Sequence, residues 1–79
     1  MEPEIVGKRV IELMKKHNIT VEELSLKMGL KKKKLEAKLK GKEEFYINEM
    51  RKIKKIFNLN VEECHKLFFQ EDEQNDKFA

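Results

Sequence analysis

The chain has 79 residues, of which 39% are hydrophobic and 42% charged, with a net charge of +3 at pH 7 and a single cysteine, Cys64. At this length folding buries only about 60% of the surface that the unfolded chain exposes, so one small domain with a small core is expected. One thiol cannot build a disulfide framework and fits a reducing compartment, and no apolar run is long enough for a leader or a membrane span.

Apolar residues recur three and four apart throughout, so the pattern predicts helices and no strands. The first is expected from about Glu4 to His17, with Val6, Val10, Leu13 and Met14 along one stripe and Lys8, Arg9, Glu12, Lys15 and Lys16 mostly facing water, ended by Asn18. Thr20-Val21-Glu22-Glu23 has the form of a capping box, which starts a second helix at Val21. That helix carries Leu24 and Met28 inward and stops at Gly29, a residue that takes the left-handed conformation without steric cost.

A third helix is expected from about Lys32 to Leu39, with Leu35 and Leu39 one turn apart and Gly41 beyond its end. Its cap position holds Lys31, a poor N-cap. A fourth runs from about Ile47 to Phe57, burying Met50, Ile53, Ile56 and Phe57 while Arg51, Lys52, Lys54 and Lys55 point out. Asn60-Val61-Glu62-Glu63 repeats the capping signature and starts a fifth helix, which turns Cys64, Leu67 and Phe68 inward. The expected architecture is an all-α, compact five-helix bundle over residues 1–69, followed by an acidic, disordered tail at residues 70–79.

Charge is unevenly distributed. Residues 8–42 carry a net +8, whereas the flanking segments are acidic, and residues 31–42 alone hold seven lysines against Glu36. Four of them, Lys31, Lys32, Lys33 and Lys34, crowd the start of the third helix, where the positive end of the helix dipole and orphan N–H groups already repel cations. Such a concentrated basic face suits a polyanion. Against this stands a plainer reading, that 16 lysines among 18 basic residues reflect a compositional bias.

Two short helices joined at Gly29, with the small Ser25 four residues before it and Leu35 six after, look like the DNA-binding helix-turn-helix. More widely, NITVEELSLKMGLKKKKLEAKLKGK followed by INEMRKIKKIFNLNVEECHKLFF resembles the lambda-repressor-like, Cro-like or XRE family, especially its small phage-borne members, over about residues 4–69. The resemblance implies that the third helix enters the major groove of double-stranded DNA with its N-terminal residues at base edges. It places Lys32 and Lys33 at the first base-contacting positions, Lys31 at a phosphate or base contact, Lys34 beside them and Ala37 at a base-facing site. Lys40 and Lys42 match the loop that lies along the DNA backbone.

Bound DNA would then offset the repulsion among the four lysines, and lysine can donate to guanine O6 and N7. The implied role is a phage or prophage transcriptional regulator, a repressor or Cro-like, cytoplasmic in a bacterium or an infected host. The chain departs from the family at Val21, where a phosphate-binding glutamine is common, and at Met14, where arginine is frequent. No Asn, Gln or Arg lies between Lys31 and Lys40 for bidentate base contacts, which implies weak sequence discrimination. Glu36 can accept from cytosine or pair with Lys32 or Lys40 one turn away.

Of the adjacent Phe68 and Phe69, which project about 100° apart, one cannot be buried in a monomer, and Phe69 is the expected homodimer contact through the C-terminal helix. Cys64 and His65 fall short of the four ligands of a structural zinc site, so no metal is expected, and no cofactor either. The chain lacks a phosphate-cradling glycine loop and a nucleophile elbow, and Glu22-Glu23 and Glu62-Glu63 sit in first turns where acids serve capping. Neither an enzyme nor a small-molecule substrate is therefore expected, nor a membrane partner. The competing reading is a non-catalytic protein-interaction module that keeps the fold but binds an acidic protein partner, favoured by Val21 and the acidic tail.

Overall fold

The computed structural model describes residues 2–71, which form five helices: α1 Pro3–His17, α2 Val21–Met28, α3 Lys32–Leu39, α4 Ile47–Ile56 and α5 Val61–Phe68. The expected all-α five-helix architecture is therefore present, with α2, α3 and the start of α5 at the anticipated residues. The tail expected at residues 70–79, with Phe78, lies beyond Glu71 almost entirely outside the described residues. Among the described residues no helix is long and apolar enough to cross a membrane.

Local chemistry explains most boundaries. Pro3 opens α1 with its backbone angle already helical. The two anticipated capping boxes form reciprocally: Thr20 N–H donates to Glu23 at 3.0 Å and Glu23 N–H returns to the Thr20 hydroxyl at 3.1 Å. Asn60 and Glu63 repeat the exchange at 2.9 and 2.7 Å. Left-handed residues Asn18, Gly29, Gly41 and Asn58 follow the first four helices. After each, the next N–H returns to a carbonyl five residues back, at Met14, Ser25, Ala37 and Lys54, all at 2.9 Å. This closure satisfies carbonyls that the helix leaves unpaired.

The core joins Val6, Val10 and Met14 of α1 to Leu24 and Met28, Leu35 and Leu39, Ile53, Phe57, Leu67 and Phe68, with Phe45 entering from the loop before α4. Leu13, Met50, Ile56 and Cys64, expected inside, pack only partly buried at its rim. Arg9 corrects the expectation of a water-facing side chain. Its guanidinium donates to the carbonyls of Lys66 and Gln70, each at 2.8 Å, and so caps the C-terminal end of α5 from α1. Lys52 is exposed as expected, and its ammonium also crosses from α4 to the last carbonyl of α2, Met28, at 2.9 Å.

α1 meets the end of α3 at Gly7. A Cβ built there would come 2.1 Å from the Leu39 carbonyl oxygen, so only a glycine lets the two backbones approach this closely. The contact sets the depth at which α3 lies in the bundle.

Candidate nucleic-acid interface

α2 and α3 pack across the Gly29 turn, and Ser25, buried with its hydroxyl on the Glu22 carbonyl at 2.8 Å, provides the small contact between them. Leu35 and Leu39 hold α3 to the core. Its N-terminal end is left outside: Lys31, Lys32, Lys33 and Lys34 are all exposed, as are Lys40 and Lys42 in the turn that follows. Ala37, expected to face bases, is half-buried, and its carbonyl accepts from Lys42 N–H.

The lysines at the tip are not equivalent. Lys32 Nζ lies 2.7 Å from a Glu22 carboxylate oxygen on α2, and Lys34 Nζ lies 3.0 Å from Glu43 in the α3–α4 loop. Of the options open to Glu36, pairing with Lys32 is not the close contact formed: Glu22 takes that place because the turn folds α2 against the start of α3. The hydrogen bond from Lys32 holds the Glu22 carboxyl below the usual carboxylate range, and Glu22 in turn raises the Lys32 ammonium. Glu43 raises Lys34 in the same way. Both lysines stay about half exposed, at 50% and 53%. Exposed pairs of this kind are weak and open to exchange. Lys31 and Lys33 make no ion pair among the described residues.

Lys38, which sequence reasoning did not single out, is the exception on this helix. It is fully buried, 2.9 Å from Glu49 on α4 and 3.0 Å from the Glu44 carbonyl, with the Tyr46 ring centroid 4.1 Å from its nitrogen. An ammonium has three protons to place, and a carboxylate, a carbonyl and an aromatic face can receive them. The available signal was its position, three residues after Leu35 and one before Leu39, on the inward side of the helical period.

Val21 is half-buried against the core, which leaves no polar group at that position. Phe69 lies at the end of α5, on a different element from the lysines. It is 54% exposed, while Phe68 beside it is buried. A shallow notch of about 220 Å³ adjoins it, lined by Pro3, Val6, Phe45 and Met50 among others.

The fold and the basic tip of α3 together define an all-α helix-turn-helix domain. The model of the Cro/C1-type HTH DNA-binding domain matches residues 9–67, from within α1 to the end of α5, and the chain belongs to that DNA-binding family. No curated protein and no solved structure gives a significant match.

Proposed function

We propose that the protein is a non-catalytic transcriptional regulator, a phage or prophage repressor or Cro-like protein, that binds a pseudo-palindromic operator in the cytoplasm of its host cell. α3 enters the major groove with Lys31, Lys32 and Lys33 toward bases and nearby phosphates, Lys34 and Ala37 along the same face, and Lys40 and Lys42 on the backbone. The observation that carries this reading is the exposed lysine cluster at the N-terminal end of α3. A duplex phosphate outcompetes Glu22 and Glu43 there, because it offers a dense charge array where each carboxylate offers one exposed pair. Two copies bind through the exposed Phe69 at the end of α5, as operator symmetry requires.

If the six exposed lysines all meet phosphates, the logarithm of the binding constant falls against that of salt with a slope near −5, at about −0.9 per phosphate. Mobility shifts of a random duplex library across a salt series test this, and no retention at low salt would overturn it. Charge reversal at Lys31 and Lys33 is the matching control. Among the described residues these two have no carboxylate partner, so glutamate there improves the match to the helix dipole while abolishing DNA retention. Lys32 is unsuited to that control, since a glutamate in its place would face Glu22. Retention of DNA by the reversed variant would instead favour a lysine face that engages an acidic protein.

A further inference from the structure

Leu35 and Leu39 are four residues apart on a helix of only eight. They stand almost one above the other, about 40° apart around the axis, so they fix where α3 lies but leave its rotation about its own axis weakly set. Lys38 projects about 100° away from Leu39 and gives the helix a lateral attachment. That attachment is directional: the Glu49 carboxylate at 2.9 Å, the Glu44 carbonyl at 3.0 Å and the Tyr46 ring at 4.1 Å all converge on one ammonium. Glu49 also accepts from Tyr46 N–H at 2.8 Å, so the same carboxylate fixes the start of α4. Lys38 and Glu49 are 0% and 5% exposed, and among the described residues no buried side-chain polar atom lacks a partner.

A buried ion pair is a poor source of stability, because desolvation of the two charges offsets most of their attraction, and apolar replacements are often as stable or more so. What the pair supplies is geometry. On the reading that α3 enters the major groove, we propose that Lys38 and Glu49 are positioning residues for base recognition. They fix the rotation of α3 and the path of the loop carrying Lys40 and Lys42. The pair thereby sets sequence discrimination, while the exposed lysines set overall affinity.

The double variant Lys38→Met with Glu49→Gln tests the division. Methionine fills the stem of the lysine, and glutamine keeps an acceptor for Tyr46 N–H without stranding a buried charge. The probes are duplexes of about 20 bp, which span two half-sites: the tightest sequence selected from a random library by the wild-type protein, and a scrambled control. The variant is expected to keep its thermal midpoint within a few degrees and its salt slope unchanged. Its ratio of affinities for the selected over the scrambled duplex is expected to fall about tenfold, the order of one good base contact. Glu49→Gln alone should lower the ratio in the same direction.

An unchanged ratio in a folded double variant overturns the proposal and leaves DNA binding standing. Loss of fold in the double variant also overturns it, since the pair would then be a stability element. A wild-type protein that retains neither duplex at low salt overturns the DNA reading itself, and this proposal with it.

Discussion

The two ends of α3 hold the same side chain in opposite surroundings. At its start, four lysines stand in water, two of them on carboxylates of neighbouring segments; in its last turn, Lys38 is sealed from water with a charge, a carbonyl and a ring around it. A lysine in water contributes to the field that a polyanion meets and almost nothing to folding. A buried lysine contributes nothing to that field, and its removal strands its partner. The comparison separates cations that can be traded for a ligand from one that cannot be removed without its buried partner.

The largest effect expected along this contrast is at Lys38. Lys38→Ala leaves the Glu49 carboxylate buried without a counter-charge, a loss of about 3–5 kcal/mol. For a domain of this size that lowers the thermal midpoint by more than about 10 °C. Thermal unfolding followed by circular dichroism measures it, and a drop of only a degree or two would show that the pair is open to water.

Next in size is Gly7→Ala, which attacks the same end of α3 from α1. The new methyl meets the Leu39 carbonyl, a backbone group that cannot turn aside. Overpacking of this kind costs about 1–3 kcal/mol, partly offset by the roughly 1 kcal/mol by which alanine is the better helix former. The midpoint should fall less than for Lys38→Ala, and duplex binding should weaken as α3 is pushed out of place.

At the exposed end the sign of the comparison reverses. Lys33→Ala should leave the thermal midpoint where it is and make the salt slope shallower by about 0.9, the share of one phosphate contact. Binding isotherms at several salt concentrations check it. A slope that does not change would remove Lys33 from the interface.

Much of this organisation was readable in the sequence, for identifiable reasons. Thr20 with Glu23, and Asn60 with Glu63, announce helix starts through chemistry confined to four residues, and Gly29 with Leu35 fixes α3 through spacing alone. Lys38 escaped because charge predicts exposure more strongly than a two-turn helix predicts an inward face. Its acceptors, moreover, lie on a loop and on the next helix. Gly7 carries no local signal inside the expected first helix, since its reason is the Leu39 carbonyl of another helix. Arg9, Lys52 and the Glu22 partner of Lys32 were missed on the same ground: each bond joins separate elements, and sequence spacing is silent about that distance.

The smallest effect concerns the one tip lysine that α2 restrains, and its sign can be worked out at both ends of the pH scale. The Glu22 carboxyl is depressed chiefly by the hydrogen bond from Lys32 and next by backbone N–H at the start of α2. A depressed acid contributes stability above its unfolded value, near 4.3, and loses it as pH falls through the lower folded value. Lys32 is raised, so its contribution is complete below about 10.4 and is lost as pH rises through the higher folded value. Glu22→Gln should therefore melt slightly below the wild type on the plateau between, and the two curves should merge in acid. Since both groups are exposed, about 0.5 M salt should erase the difference. The same substitution releases Lys32, so duplex affinity at low salt should rise as stability falls. A variant that loses both would place Glu22 in the interface itself, as a group that orients Lys32 instead of one that restrains it.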